Sequence, residues 1–275
     1  MDTLVSAAWL QDHLYMDDLK VIDASWYLPA ANRDVRAEYL EAHIPGAVFF
    51  DIDQCSANSD LPHMLPSADQ FAAYLTDLGI SNNHRIVVYD SHGLFSAARV
   101  WWMLDLFGCQ QVGILSGGLK AWQDACFPLA SGAEDIAPAT FYAQADVSKI
   151  ASAEEVLRSL EQDNIAILDA RGAARFNGTE PEARAGLRSG HMPGSFNMPF
   201  TRLQKDGELL PVDKLKQELA DYLHKPAIIT TCGSGVTAAI IVLALHQCGY
   251  TNTKLYDGSW AEWGGRDDLQ VVKEG

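Results

Sequence analysis

Short runs of β-branched and aliphatic residues punctuate the chain at intervals that match alternating strands and helices. Val21-Ile22-Asp23-Ala24, Ile86-Val87-Val88-Tyr89, Ile167-Leu168-Asp169-Ala170 and Ala227-Ile228-Ile229-Thr230-Thr231 each read as a strand buried on both faces. Ala238 through Leu245 is eight apolar positions in a row, the pattern of a helix packed on every side. Alternation of such strands with helical segments predicts parallel sheets covered by helices on both faces.

The pattern then repeats. Ser6-Ala7-Ala8-Trp9-Leu10, a helix start, returns as Ser152-Ala153-Glu154-Glu155-Val156-Leu157, and the strand at Val21 returns at Ile167. Ala42-His43-Ile44-Pro45-Gly46-Ala47 returns as Gly190-His191-Met192-Pro193-Gly194-Ser195. Ile86-Val87-Val88-Tyr89 matches Ala227-Ile228-Ile229-Thr230, and Leu115-Ser116-Gly117-Gly118-Leu119-Lys120-Ala121-Trp122 matches Tyr256-Asp257-Gly258-Ser259-Trp260-Ala261-Glu262-Trp263. Five matches in one order, offset by about half the chain, indicate duplication. Two similar α/β domains are expected, at 1–130 and 146–275, joined by a linker over 131–145 rich in Ala, Pro, Ser and Gly. Aligned this way, Ser91 stands in the first repeat where Cys232 stands in the second, with Asp90 beside it.

Composition narrows the class. The 275 residues are 48% apolar and 20% charged, ordinary for a globular protein. No apolar run approaches the roughly 20 residues that span a bilayer, and the first 18 residues carry Asp2, Asp12, Asp17 and Asp18 but neither a cationic leader nor an Arg-rich transit pattern. A soluble cytoplasmic protein is expected. The net charge of −16 argues against nucleic acid and anionic membrane as partners. Residues 1–145 carry −12 of it and residues 146–275 only −4, so a pocket for an anion is sought in the second half.

The five cysteines, Cys55, Cys109, Cys126, Cys232 and Cys248, show neither paired spacing nor metal-ligand spacing; no disulfide framework and no metal are expected. Cys232 differs from the others in context. It ends a strand and is followed by Gly233-Ser234-Gly235-Val236-Thr237 before an apolar helix begins. Backbone N–H groups of such a turn and the positive end of the helix favour a thiolate, which is the nucleophilic form. Cysteine phosphatases place an arginine six residues after their cysteine to grip phosphate; here that position is Ala238. Papain-type hydrolysis has no need of such a glycine loop. Transfer of a sulfur atom through a cysteine persulfide remains.

The loop at Cys232, the two His-x-Pro-Gly segments and the stretch Tyr256–Trp263 resemble the tandem rhodanese-domain sulfurtransferases over essentially the whole chain. More closely they resemble those members that use 3-mercaptopyruvate. The resemblance implies a degenerate first domain and a catalytic second one. It implies that Arg175 and Arg184, in Ala174-Arg175-Phe176-Asn177-Gly178-Thr179-Glu180-Pro181-Glu182-Ala183-Arg184, bind the donor's carboxylate and carbonyl. Arg171 and Arg188 are read as neighbours outside that clamp, Arg188 as a surface residue. It further implies that Ser234, His63 and Asp53 form a proton relay reaching the cysteine across the domains. His43, His191, Trp122, Trp260 and Trp263 are read as structural. The implied cycle releases pyruvate, leaves a persulfide on Cys232 in a cradle of residues 233–237, and passes sulfur to cyanide or to a thiol such as thioredoxin, without metal or organic cofactor. Thiosulfate-preferring members carry basic residues after the cysteine, whereas Gly233 and Ser234 are uncharged. A thiosulfate-preferring enzyme, and a non-catalytic persulfide carrier or redox sensor, stand as the alternatives.

Overall fold

The structure, a computed structural model, describes residues 1–273. The chain divides into two compact units. One comprises Met1–Ala57, Leu65–Asp146 and Asp206–Glu208; the other comprises Asn58–Met64, Val147–Lys205 and the chain from Leu209 onward.

In the first half the order is β1 (Leu4–Val5), α1 (Ala7–His13), β2 (Leu19–Asp23), α2 (Val35–Glu41), β3 (Ala47–Phe49), α3 (Ala68–Asp77), β4 (Arg85–Tyr89), α4 (Ala97–Leu106), β5 (Val112–Leu115) and α5 (Gly118–Asp124). The rest runs β6 (Ile150–Ala151), α6 (Ala153–Ser159), β7 (Ile165–Asp169), α7 (Ala173–Asn177), β8 (Phe196–Asn197), β9 (Gln204–Lys205), β10 (Glu208–Leu209), α8 (Val212–Glu218), β11 (Ala227–Thr231), α9 (Ala238–Gln247), β12 (Thr253–Tyr256) and α10 (Ser259–Trp263). Each unit holds one five-stranded parallel sheet. The orders, β1-β5-β4-β2-β3 and β6-β12-β11-β7-β8, are the same topology used twice.

Local chemistry accounts for the repeat. Ser6 Oγ caps α1 by accepting the Trp9 N–H at 3.1 Å, and Ser152 Oγ caps α6 by accepting the Glu155 N–H at 3.2 Å. Helix α9 buries Ala238 through Leu245, as an all-apolar helix must. The two His-x-Pro-Gly segments are structural. His43 stacks on Tyr39 and its Nδ1 bonds the Tyr39 carbonyl at 2.7 Å; His191 stacks on Phe176 and its Nδ1 bonds the Phe176 carbonyl at 2.9 Å. Gly46 and Gly194 follow at φ +75° and +76°, a left-handed turn that glycine makes without strain. Trp122, Trp260 and Trp263 are fully buried, and their indole N–H groups donate to the carbonyls of Pro128, Arg188 and Gln270.

The stretch 131–145 contains no helix or strand, yet it is held to the first unit. Glu134 accepts the Gly46 N–H at 2.9 Å and meets His43 Nε2 at 3.1 Å, Phe141 is buried, and the Gln144 N–H reaches the Phe107 carbonyl.

Candidate active site

Strand β11 lies at the centre of the second sheet, and Cys232 is the first residue past its carboxyl end, where parallel sheets present ligands. The loop 232–237 is tied to the start of α10: the Trp260 N–H donates to the Cys232 carbonyl and the Ala261 N–H to the Gly233 carbonyl, both at 2.9 Å. The Ser259 hydroxyl accepts the Cys232 N–H at 3.4 Å. Gly235 takes φ +77° and turns the chain into α9. Among the described residues, the N–H groups of Gly233 through Thr237 have no acceptor, so the turn is a set of donors open to an anion.

The first unit shows the same loop in a closed form, and its register corrects the alignment of Ser91 with Cys232. Asp23 pairs with Tyr89 as Asp169 pairs with Thr231, which puts Asp90 opposite Cys232. The Leu119 N–H donates to the Asp90 carbonyl at 3.1 Å, as that of Trp260 does to Cys232. The first loop is one residue longer before its helix, and sequence alignment put that extra residue on the wrong side of Asp90. Oδ2 of Asp90 accepts the N–H groups of Phe95 at 2.7 Å and Ala97 at 2.8 Å, filling the nest with the chain's own carboxylate. A cavity of about 420 Å³ lies beside this loop, lined among others by Asp23, Arg33, Glu38, Ser91 and Lys120, but it contains no thiol.

The other cysteines lack this setting. Burial pushes the Cys55 and Cys109 thiols up to about 12, so both stay protonated at neutral pH. Burial also raises the Cys248 thiol, and Cys126 lies exposed after α5. Cys232 itself is 2% exposed. Among the described residues no three His, Cys, Asp or Glu side chains form a group able to hold a metal ion.

Of the two arginines expected to bind the donor, Arg175 stands on α7 with its Nη2 3.2 Å from where a Cβ on residue 233 would be. A Cβ there would be a tight contact, relieved only if the guanidinium gave way by a few tenths of an ångström. Arg175 is 28% exposed and forks onto Glu182 through Nε at 3.2 Å and through Nη2. Arg184 is half-buried in the irregular stretch that follows α7. In the first unit Tyr39 stacks on His43 as Phe176 stacks on His191, so Glu38 holds the place of Arg175. The charge at that position is inverted there.

Arg171 is buried and structural. It grips Asp169 through Nε and Nη2, gives Nη1 to Glu182 at 2.7 Å, and lies 4.1 Å over the Trp260 ring. Arg188 departs from expectation, because it is not a surface residue. Its guanidinium is half-buried and donates to the carbonyls of Gly264 (3.1 Å), Leu269 (2.9 Å), Trp263 (2.9 Å) and Arg266, which fixes the segment after α10.

Ser234 and His63 are brought together. Segment Asn58–Met64 belongs to the second unit, and His63 Nδ1 lies 3.0 Å from Ser234 Oγ, both side chains buried. His63 holds φ +58°, a backbone conformation that non-glycine residues adopt mainly where their surroundings impose it. Asp53 lies in the first unit, where its Oδ2 accepts the Trp26 indole N–H at 3.1 Å. Glu182 and Asp90 were missed by sequence reasoning. Glu182 had a signal, as an acidic residue between Arg175 and Arg184 in the sequence; Asp90 had one in its place at a strand end.

The rhodanese-like domain family matches residues 6–125 and again 152–266. The 3-mercaptopyruvate sulfurtransferase of Rattus norvegicus is 46% identical over 94% of this chain and 91% of its own. The thiosulfate sulfurtransferase of Cricetulus griseus is 43% identical over the same shares, 94% and 91%. Among solved structures, SseA from Escherichia coli, a 3-mercaptopyruvate sulfotransferase, superposes with a TM-score of 0.87 at 42% identity, over 94% of this chain and 99% of that one. With both halves matched and identities well above 30% along nearly the full length, the chain belongs to the rhodanese family and carries two rhodanese-like domains in tandem.

Proposed function

We propose that this chain is a 3-mercaptopyruvate sulfurtransferase. The Cys232 thiolate attacks the sulfur of 3-mercaptopyruvate, and the carbon–sulfur bond breaks. The bonding pair stays on carbon as the enolate of pyruvate, and the persulfide stays on Cys232. An acceptor thiolate or cyanide then attacks the outer sulfur and returns Cys232 to its thiolate. The N–H groups of residues 233–237 hold the outer sulfur's negative charge. Arg175 and Arg184 hold the donor's carboxylate and carbonyl. His63 passes a proton through Ser234 to the departing enolate, and Asp53 orients the imidazole. The acceptor is a thiol such as thioredoxin, and the setting is cytoplasmic; among the described residues no helix is long and apolar enough to cross a membrane.

The observation that carries the reading is the pairing of an uncharged loop with a lateral guanidinium: Gly233 and Ser234 add no positive charge beside Cys232, while Arg175 crosses Gly233 at 3.2 Å from its missing Cβ. That arrangement suits a carboxylate held away from the reacting sulfur. Thiosulfate transfer is the second reading, favoured by the 43% identity to the thiosulfate sulfurtransferase. Steady-state kinetics with the two donors side by side, at one fixed cyanide concentration, decide between them. A carrier without turnover is excluded by many cycles per enzyme.

A further inference from the structure

Cys232 sits within a closed circuit of contacts that includes one buried carboxylate with no role in the proposed cycle. The Cys232 carbonyl accepts the Trp260 N–H; the Trp260 ring lies against Arg171; Arg171 donates to Glu182; Glu182 holds Arg175; and Arg175 lies across Gly233. The Glu182 side chain is 1% exposed, and its two oxygens are divided between the two guanidiniums. Arg171 is itself held by Asp169 and by the Gly190 carbonyl at 2.9 Å. Charges alternate along Asp169, Arg171, Glu182 and Arg175, from a fully buried end to a partly exposed one. An arginine at the exposed end has many rotamers and loses them on binding. Glu182 takes the Nε edge of the fork and so leaves Nη1 of Arg175 for an outside acceptor.

We propose that Glu182 is a positioning residue, which fixes Arg175 over the Cys232 loop before the donor arrives. The inference rests on the reading of Arg175 as a donor-binding residue. Glu182→Gln keeps one carbonyl oxygen, enough for Arg171, but turns an amide N–H₂ toward the other guanidinium. The test is a cycle of Glu182→Gln, Arg175→Ala and the double variant, each assayed with 3-mercaptopyruvate and cyanide and each melted. The expected result is a rise of fivefold or more in the donor KM of Glu182→Gln, with the cyanide KM unchanged. The double variant should fall within twofold of Arg175→Ala alone. Glu182→Asp, with the charge kept on a shorter side chain, should also raise the donor KM, and it serves if the glutamine variant does not fold. A wild-type donor KM in Glu182→Gln, or losses that multiply in the double variant, would overturn the inference while leaving the clamp standing. A wild-type Arg175→Ala would overturn the clamp and the inference with it.

Discussion

Asp90 and Cys232 occupy the same place at the ends of the central strands of the two sheets, and each gives its carbonyl to an N–H in the first turn of a later helix, Leu119 of α5 and Trp260 of α10. One loop is filled by a carboxylate; the other is left open to an anion. The filling has a consequence for stability. Burial pushes the Asp90 carboxyl above its ordinary value of about 3.8, against the pull of the N–H groups of Ala97, Phe95 and Gly93, and its buried Oδ1 has no hydrogen-bond partner among the described residues. A buried acid with a raised value favours the fold while it is protonated. Its contribution is complete below about pH 3.8 and is lost as pH rises through the raised folded value. Asp90→Asn cannot ionise. The stability of wild type relative to Asp90→Asn should therefore decline as pH rises from about 4, and urea melts at several pH values check it. A difference that stays constant would mean that Asp90 titrates alike in both states.

Cys232→Ser should abolish sulfur transfer while the melting temperature is retained, because a hydroxyl replaces the thiol with little change in size but is a far poorer nucleophile toward sulfur. Mass spectrometry after exposure to donor alone should find one added sulfur on the Cys232 peptide of wild type. Cys55 and Cys109, with thiols raised to about 12, should stay unmodified. Sulfur found on another cysteine would remove Cys232 from the mechanism.

Arg175→Ala and Arg184→Ala should each cost about 1.5–3 kcal/mol in kcat/KM for 3-mercaptopyruvate, the range for a hydrogen bond to a charged group. The control is Arg202→Ala, whose half-exposed guanidinium pairs with Glu218 on the surface. Arg188 cannot serve, since four backbone carbonyls lean on it; Arg188→Ala should lower the melting temperature instead. Equal kinetic losses at Arg175, Arg184 and Arg202 would mean that general charge, rather than a clamp, is being measured.

The tandem fold was legible because periodicity and repeated segments are local: serine caps, apolar strands and His-x-Pro-Gly turns each recur in both units with partners in equivalent positions. The strand–turn–helix setting of Cys232 was legible for the same reason, since its parts are contiguous. What sequence concealed was long-range. A one-residue difference in loop length hid the equivalence of Asp90 and Cys232, which only the sheet registers reveal. Nothing local tells that His63 lies 171 positions from its partner Ser234 yet within the same unit. Glu182 needed two arginines brought to it by a strand end and a helix, and Arg188 looked exposed because the carbonyls it binds come 75 or more residues later.

The donor preference follows from what surrounds Gly233 and Ser234. Thiosulfate is a compact dianion and gains most from cations beside the cysteine; 3-mercaptopyruvate gains from a guanidinium set to one side. We expect 3-mercaptopyruvate to be favoured by at least tenfold in kcat/KM, about 1.4 kcal/mol or more. Gly233→Ala tests the geometry, because its Cβ would come within 3.2 Å of Arg175 Nη2 and push the guanidinium aside by a few tenths of an ångström. Its kcat/KM should fall for 3-mercaptopyruvate and change little for thiosulfate. The double change Gly233→Arg with Ser234→Lys adds charge to the loop at a cost. The new arginine meets Arg175, and the new ammonium replaces a buried hydroxyl beside His63. The ratio should still narrow, through loss of the carboxylate donor as much as through gain of the dianion. A wild-type enzyme that used both donors equally, or a double variant with the ratio unchanged, would show that the loop does not set the choice.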